Sequence, residues 1–288
     1  MDASAFASIE SVRRFYANEL SRLNHISSPA ILAAFATVPR ERFVGPGPWI
    51  IQRLGESWKT VDSDPRHLYL DALIVLDESK RLNNGQPSLW AYHLDMLGIR
   101  PGDHVLHLGC GTGYYTAIMA ELTGPQGKVI AIEIDEGLAA RARIALAPWP
   151  QVAAFQGDGA IGPFPRVDVT VVSAGATHPL PAWLAAVKPS GKLLFPLTST
   201  HGPGTMAHLI RESPEWFHAE LISTAFFIDF LGARDAAVSA ELAQSLKRDQ
   251  GGDVRSLRCD LHEKDSTCWL HGNGWCFSRR IPKSDSQS

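Results

Sequence analysis

Short apolar segments alternate with helical segments over residues 87–230, and this alternation constrains the fold more than any other feature of the chain. The apolar segments have the length of strands, and they are HVLHL (104–108), KVIAIEI (128–134), VAAFQGD (152–158), VDVTVVSA (167–174) and GKLLFPL (191–197). Strands separated by helices of about ten residues predict an α/β fold with a doubly wound, mostly parallel sheet. Right-handed crossovers then place the carboxyl ends of the strands on one edge, where ligands bind.

The flanking segments carry other patterns. Helical spacing predicts helices over residues 7–23, 29–36 and 236–250, whereas residues 44–67 are rich in Gly, Pro and Asp and are expected to be loop. AHLIRE and WFHAELISTAFFIDF indicate closing strands, Asn273–Gly274 indicates a hairpin turn, and the end KSDSQS is polar and of low complexity. We therefore expect one domain over residues 1–235, with residues 1–60 as helical cap and loop, and a C-terminal α+β extension over residues 236–288.

The composition excludes several classes of function. There are 30 acidic and 27 basic residues, a formal net charge of −3, so no electrostatic footprint for nucleic acid is expected. No apolar run reaches the roughly 18 residues of a transmembrane helix, and the N-terminal segment lacks the apolar core of a signal peptide. Four cysteines in 288 residues do not suggest a disulfide scaffold. We therefore expect a cytoplasmic protein with reduced thiols and no membrane partner.

A glycine-rich segment, HVLHLGCGTGYYTA, joins the first predicted strand to the helix that follows. Gly109, Gly111 and Gly113 permit a tight turn and let a ligand approach the backbone closely. Their spacing differs from the dinucleotide pattern G-x-G-x-x-G, and no Gly-Lys-Ser/Thr of a phosphate-binding loop follows. The loop therefore predicts a ligand that lacks a pyrophosphate.

Two acidic residues end the next two strands. Glu133 ends the second strand, where a carboxylate can accept both hydrogen bonds from a ribose diol. Asp158 ends the third strand, beside Gly159, where a short acidic side chain can accept from an adenine amino group. A ribose and an adenine without a pyrophosphate describe S-adenosylmethionine (SAM). The alternatives are an NAD site and a sheet whose glycines and acids serve only turns and surface.

The chain resembles the protein-L-isoaspartate O-methyltransferase family in seven segments that follow the family's order. They are VPRERFV (38–44), YLDALIV (69–75), NNGQPSLWAYHLDML (83–97), PGDHVLHLGCGTGYYTA (101–117), KVIAIEID (128–135), GDGAIG (157–162) and PLPAWLAAVKPSGKLLFPL (179–197). The resemblance implies a Rossmann-like SAM-dependent methyltransferase fold, in which the helices before residue 40 cap the sheet. It also implies that Gly109, Gly111, Glu133 and Asp158 bind S-adenosyl-L-methionine.

The chain departs from that family in two places, at His107 and over residues 83–85. Methyltransferases of this fold usually carry an acid where this chain has His107, near the methionine amino group. A neutral His107 can accept a hydrogen bond there, or it packs as an ordinary strand residue. The family also has Thr-Ile-Ser before Gln-Pro, with the serine beside the methyl donor and the substrate carboxylate. This chain has Asn83, Asn84 and Gly85 there.

The second departure predicts a change of substrate. The amides of Asn83 and Asn84 can replace hydroxyls as donors, and Gly85 is expected to leave room for a bulkier group. We therefore expect a carboxylate other than that of the repair enzyme, in a peptide-like substrate or a small molecule. The alternative is a polar turn that caps the helix starting near Pro87.

Methyl transfer to a carboxylate needs no general base, because that group is already ionised at pH 7. The protein has to position the nucleophile and exclude water. We therefore expect a SAM-dependent O-methyltransferase of the isoaspartyl type, with Ser173 as a further candidate at the sheet edge. His178 is the candidate base for the alternative reaction, methylation of a hydroxyl or an amine on a small molecule. A non-catalytic SAM-binding interaction module is a second alternative.

Five residues of metal-ligating types fall close together in the tail: Cys259, His262, Cys268, His271 and Cys276. If Asn273–Gly274 is a two-residue turn, His271 faces Cys276 across the hairpin, and part of a zinc shell is implied. The short linkers favour instead a packed hairpin with buried cysteines, Trp269 and Trp275, so no metal ligand is predicted. The extension is also a candidate to pack over the active-site edge or to form a homo-oligomer.

Overall fold

The computed structural model describes residues 8–282. Its α-helices are α1 (Ile9–Asn24), α2 (Pro29–Thr37), α3 (Pro87–Leu97), α4 (Tyr114–Thr123), α5 (Glu136–Ala145), α6 (Pro181–Ala186) and α7 (Ala236–Asp249). Short 3₁₀ helices cover Arg40–Phe43 and Pro65–Leu68. The predicted start of the first helix at residue 7 and the polar end KSDSQS lie outside the described residues.

Fourteen strands are present within this range. They are β1 (Ile50–Arg53), β2 (Glu56–Lys59), β3 (Leu73–Asp77), β4 (Leu82–Asn83), β5 (His104–Leu108), β6 (Lys128–Glu133), β7 (Val152–Gln156), β8 (Val167–Val172), β9 (Val187–Leu197), β10 (Gly204–Arg211), β11 (Trp216–Ala225), β12 (Ser256–Arg258), β13 (Cys268–Gly272) and β14 (Trp275–Ser278). The first four apolar segments of the predicted alternation contain β5 to β8, and the fifth, residues 191–197, is the C-terminal part of β9. The α/β prediction is therefore confirmed, because sheets covered on both faces select near-continuous apolar strands such as β8.

Residues 8–104 and 110–157 form one compact unit. In it, α1 packs against α2 and α3, and β6 pairs with β7 in parallel. A small antiparallel sheet has the order β2-β1-β3-β4. Its core consists of buried apolar side chains from the sheet and the loops around it: Val44, Trp49, Ile51, Leu68, Ala72 and Ile74.

The predicted loop over residues 44–67 is partly wrong. β1 and β2 form an antiparallel hairpin there, with Ile51 opposite Trp58. Every residue of β2 is exposed, and Ile51 is the only buried residue of β1. The apolar alternation that marks a half-buried strand is therefore missing from the sequence.

Residues 105–109 and 158–282 form the other compact unit. β8 pairs in parallel with β5 and with β9. From β9 the sheet continues in antiparallel fashion through β10, β11, β12, β14 and β13. The boundary predicted at residues 235/236 falls inside this unit, because β12 of the extension pairs with β11. No helix within residues 8–282 combines the length and the apolar character needed to cross a membrane.

The predicted hairpin at the end of the chain is confirmed. β13 and β14 pair on either side of Asn273–Gly274, and His271 lies opposite Cys276. Cys268 and Cys276 are buried, as are Trp269 and Trp275. The extension therefore has the expected helix and hairpin, and the hairpin prolongs the sheet.

Candidate active site

The glycine loop and Glu133 form a preorganised pair in the first unit. Glu133 ends β6, and its side-chain oxygens accept the N–H of Gly111 at 2.7 Å and the N–H of Asp135 at 3.0 Å. Gly111 has φ 58, and a Cβ there would meet no atom within 4 Å, so the backbone is open to an approaching ligand. A carboxylate has about four acceptor positions, so Glu133 keeps acceptor capacity for hydroxyl groups.

Gly113 has a packing role in the same loop. It is the N-cap residue of α4, and a Cβ there would come within 2.7 Å of Leu146 Cδ1. Such a contact cannot be accommodated without moving the neighbouring side chain. Gly113 also has φ 95, a backbone conformation that favours glycine, so conformation and packing against Leu146 both account for glycine here.

Four predicted cofactor residues lie in the second unit: His107, Gly109, Asp158 and Gly159. Asp158 accepts the N–H of Ala160 at 2.8 Å through Oδ1. The carbonyl oxygen of Gly159 accepts from Trp183 Nε1 at 2.8 Å, and a Cβ on Gly159 would lie 2.8 Å from Phe230 Cζ. Gly109 makes no comparably close approach, since a Cβ there would meet its neighbours at 3.8 Å or more. Packing alone therefore accounts for Gly159, whereas Asp158 retains its second oxygen.

His107 is paired with Ser173. His107 lies on β5 with 1% of its surface exposed, and its Nε2 is 2.7 Å from Ser173 Oγ. Burial lowers the pKa of His107 to about 3, so the imidazole is neutral at physiological pH. The two residues thus form a polar contact between β5 and the end of β8. This geometry is that of a packed strand histidine, and a contact of His107 with the cofactor stays a prediction.

His178, just beyond Ser173, contacts the C-terminal extension. Its Nδ1 is 2.9 Å from Thr177 Oγ1, and its ring stacks on Trp275 with 5.7 Å between ring centroids and 11° between planes. Partial burial lowers the pKa of His178, so its neutral form is favoured. The extension thus contacts His178 through Trp275, and the imidazole has a structural partner; packing of the extension over an active-site edge stays a prediction.

Residues Asn83–Gln86 form a tight polar turn, here called the rim turn, at the start of α3. Asn83 Oδ1 accepts the N–H of Gly85 at 2.9 Å, and Gly85 O accepts from Tyr115 at 3.0 Å. Asn84 is buried, and its Oδ1 accepts from Ile74 N at 2.9 Å. The rim turn is therefore fixed by its own side chains and by neighbouring backbone. Helix α3 begins at Pro87, as predicted.

The expectation that Gly85 leaves room for a bulkier group is wrong. Gly85 has φ 76, and a Cβ there would lie 2.8 Å from Trp90 Nε1 and 2.9 Å from Tyr115 Cε2. Trp90 and Tyr115 stack on each other with 4.9 Å between centroids. The space beside Gly85 is thus filled by aromatic rings, and only glycine fits without strain.

Arg40 is the residue that sequence reasoning missed. It is fully buried, and its guanidinium donates to three carbonyl oxygens, those of Leu68, Leu70 and Ala72, at 2.6–2.9 Å. The same guanidinium donates to Asn84 Oδ1 at 3.2 Å and lies over the ring of Tyr114. Arg40 therefore connects the segment that precedes β3 to the rim turn. It belongs to the segment VPRERFV, whose resemblance to the family was the available signal.

An open glycine loop whose amide fixes an acid at the end of the next strand defines a SAM-dependent methyltransferase of the α/β type. Comparison with known proteins makes this specific. The family model of Protein-L-isoaspartate(D-aspartate) O-methyltransferase (PCMT) matches residues 16–231, which is most of the chain. The chain belongs to this family.

Relatives of known sequence agree with the match. A protein-L-isoaspartate O-methyltransferase of Ignicoccus hospitalis is 29% identical over 223 residues, which cover 76% of this chain and 97% of the relative. One from Geotalea uraniireducens is 28% identical over 212 residues, covering 72% and 87%. The predicted enzyme class, carboxyl O-methylation and the SAM cofactor are confirmed by this membership.

Solved structures show the same fold. A protein-L-isoaspartate O-methyltransferase structure superposes with a TM-score of 0.65 at 22% identity, covering 82% of this chain and 69% of that chain. A Plasmodium falciparum protein described as a β-aspartate methyltransferase, in complex with S-adenosyl-L-homocysteine, gives 0.60 at 15% identity, covering 76% and 98%. The Rossmann-like methyltransferase fold is thereby confirmed. Residues 232–282, which include the extension, lie beyond the family match.

Proposed function

We propose that this enzyme methylates a carboxylate of a peptide-like substrate that is held at the rim turn, with the amide of Asn83 as the donor. Asn83 is exposed, and its Oδ1 is occupied by the N–H of Gly85. Within residues 8–282 no hydrogen bond involves its Nδ2. The proposal rests on this donor, because the Asn83 side chain is held in place and its Nδ2 is available to bind a substrate.

Asn84 and Gly85 have a different role in this proposal. Asn84 is buried and its oxygen serves Arg40 and Ile74, while Gly85 lies against Trp90 and Tyr115. Both residues therefore shape the rim turn and leave recognition to Asn83. An amide in place of the family's hydroxyls alters the hydrogen bonds offered to a carboxylate, which is the kind of change that alters selectivity.

The chemistry asks little of the protein beyond positioning. When bound, SAM supplies a methyl group on a positively charged sulfur, and a carboxylate oxygen is a sufficient nucleophile without a base. The Gly111 backbone gives close access, and Glu133 offers acceptors for hydroxyl groups of the cofactor. Asn83 orients the substrate carboxylate, which contributes by restricting its rotation. The cofactor roles of His107, Gly109, Gly113, Asp158 and Gly159 stay predictions.

Methylation of a hydroxyl or amine with His178 as the base is the second candidate. The lowered pKa of His178 leaves its imidazole neutral and able to accept a proton. Its stacking on Trp275 gives the same residue a structural explanation. A role of Ser173 at the site, a cytoplasmic location and homo-oligomer formation through the extension also stay predictions.

Methyl transfer from labelled SAM tests the proposal. The acceptors are an isoaspartyl peptide, its aspartyl isomer and a small dicarboxylic acid. Base-labile incorporation into a peptide is expected, because methyl esters hydrolyse in base. A base-stable product would overturn the carboxylate assignment and favour the reaction through His178.

The Asn83→Ala variant tests the role of the rim turn. Loss of one hydrogen bond of about 1.4 kcal/mol should raise KM for the peptide roughly tenfold and leave KM for SAM unchanged. Gln52→Ala is the matched control, since it removes an exposed amide from β1 of the same unit. Equal effects of the two substitutions would remove Asn83 from the substrate site.

A further inference from the structure

Four side chains of the extension converge on one point. The ligand atoms of His262, Cys268, His271 and Cys276 all lie within 4.8 Å of one another. These residues are called the Cys/His cluster below. The fifth residue of this group in the sequence, Cys259, lies outside the cluster. All four members follow residue 231, so the family match does not account for them.

A β-bulge places the two ligands of β13 on one side of the hairpin. Cys268 and His271 are three residues apart, and in a regular strand they would point to opposite faces. The register shifts between Cys268 and Leu270, so that an extra residue of β13 is accommodated there. His271 then faces Cys276 of β14 directly, and His262 approaches from the loop after β12.

The spacing of the cluster suits a tetrahedral metal ion. Sulfur and nitrogen ligands bound about 2.3 Å and about 2.0 Å from a common ion, at the tetrahedral angle, lie about 3.5 Å apart. Cys268 Sγ and His262 Nε2 are 3.6 Å apart. Two cysteines and two histidines in this geometry select zinc among common biological metals.

Neighbouring groups prepare two of the ligands. His262 Nδ1 is 2.9 Å from the carbonyl oxygen of Asp260, to which it donates, and this leaves Nε2 as a lone pair facing the cluster. The N–H of Asp265 donates to Cys268 Sγ at 3.3 Å, which stabilises a thiolate. His271 Nδ1 is buried and has no hydrogen-bond partner within residues 8–282. Both imidazoles thus direct a nitrogen lone pair at the cluster, and that of His262 becomes free for a metal when the Cys268 thiol, 3.6 Å away, is deprotonated.

We propose that the Cys/His cluster binds one structural zinc ion. Binding forms two Zn–S and two Zn–N bonds and releases the two thiol protons of Cys268 and Cys276 to solvent. Two thiolates and two neutral imidazoles balance the charge of Zn²⁺, so the filled site is neutral and suited to its buried position. Four protein ligands leave no open coordination position, so the ion does not take part in methyl transfer.

Zinc fixes the hairpin that carries Trp275. Cys276 follows Trp275 on β14, and the indole of Trp275 stacks on His178. The ion also attaches the loop at His262, which joins β12 to β13, to that hairpin. Its effect on the rest of the unit is therefore to hold the extension in place against the end of β8.

Metal analysis of the purified full chain tests the proposal. Mass spectrometry of the metal content should find about one zinc ion per chain, as a closed four-ligand site implies. Cys276→Ser and His262→Ala should each lose most of the zinc. Cys259→Ser is the matched control and should retain it, because Cys259 is outside the cluster.

Cobalt substitution of the unaltered chain gives a readout that does not depend on whether the variants fold. Co²⁺ in this site should show visible bands of tetrahedral cobalt and charge-transfer bands of cobalt–thiolate bonds, and Zn²⁺ should abolish both. A folded wild-type chain that binds neither ion would overturn the proposal. A disulfide between Cys268 and Cys276 in chain purified under reducing conditions would overturn it equally.

Discussion

The rim turn and the Cys/His cluster are both dense in uncharged polar groups, yet they use their lone pairs differently. In the rim turn, the side-chain oxygens of Asn83 and Asn84 accept hydrogen bonds from backbone and from Arg40. In the cluster, sulfur and nitrogen atoms face one another across less than 4.8 Å. In the rim turn the side-chain oxygens stabilise the fold because they accept hydrogen bonds. In the Cys/His cluster the sulfur and nitrogen lone pairs point towards one another, which suits the binding of a metal ion. The Nδ2 donors of Asn83 and Asn84 both lack a hydrogen-bond partner within residues 8–282, but Asn84 is buried whereas Asn83 is exposed and accessible to a substrate.

Replacing Arg40 should have the largest effect on this comparison. Arg40→Met keeps much of the buried volume but leaves the carbonyl oxygens of Leu68 and Ala72 without their donor. Leu70 O and Asn84 Oδ1 keep the N–H groups of Ala72 and Ile74. At about 1–3 kcal/mol for each of the two unsatisfied carbonyl groups, the free energy of unfolding should fall by about 4 kcal/mol. Denaturant titration measures this loss. Arg53→Met, on exposed β1, should change stability by less than about 0.5 kcal/mol, and a similar small change in Arg40→Met would show that the rim turn does not depend on Arg40.

Replacing Gly85 by serine should have the next largest effect. Gly85→Ser restores the residue type of the family, but its Cβ would collide with Trp90 and Tyr115 in a backbone conformation that favours glycine. Strain and overpacking together should lower stability by about 3 kcal/mol. Gly55→Ser is the matched control, because Gly55 has φ 84 with nothing within 4 Å, so it pays only the conformational cost. Equal losses in thermal or denaturant unfolding would contradict the crowding seen at Gly85.

The stability of the protein as a function of pH should show the effect of His107, a buried histidine outside the Cys/His cluster. Burial lowers the pKa of His107 to about 3, below its ordinary value of 6.5. Between these two pH values the unfolded chain is protonated at His107, whereas the folded chain is not. Stability is therefore complete above pH 6.5 and falls as pH drops towards 3, by about 1.4 kcal/mol per pH unit. Between pH 7.5 and pH 5.0 this one residue should account for about 2 kcal/mol.

The His107→Gln variant isolates that contribution. Glutamine keeps a polar group that can reach Ser173 and does not titrate, so its stability should be flatter over the same pH range. Urea unfolding at the two pH values gives the comparison. A wild-type chain whose stability declines no more steeply than that of His107→Gln would mean that His107 takes up its proton in the folded state.

Much of the fold followed from the sequence because local pattern and tertiary structure agree there. The strands β5 and β8 are apolar because most of their residues are buried, and the glycine loop contains Gly111, where a Cβ would meet no atom within 4 Å. The position of Glu133 at the end of the second strand was predicted, and the structure adds that the amide of Gly111 holds its carboxylate there. Hairpin chemistry at Asn273–Gly274 was sufficient to place His271 opposite Cys276.

The features that the sequence did not reveal depend on side chains distant along the chain. Arg40 reads as a surface residue until the carbonyls that surround it are known. Tyr115, which crowds Gly85, lies thirty residues later in the sequence, so no local sequence pattern predicts their contact. The four residues of the cluster were considered as part of a zinc shell, but the short linkers between them favoured a packed hairpin. Their convergence depends on a bulge between Cys268 and His271, and a bulge leaves no reliable mark in the residues that form it.

The pairing of β12 with β11 has a consequence for the edge of the sheet. β12 covers Trp216, Phe217 and His218 by antiparallel pairing. A chain shortened to the part that matches the family would present that strand with unpaired N–H and C=O groups beside the apolar side chain of Phe217. Such an edge is a template for adding a strand from another molecule, which is how many sheets begin to aggregate. In the full chain the extension covers the edge of β11 through β12. The shorter chain, in which that edge is uncovered, is expected to self-associate.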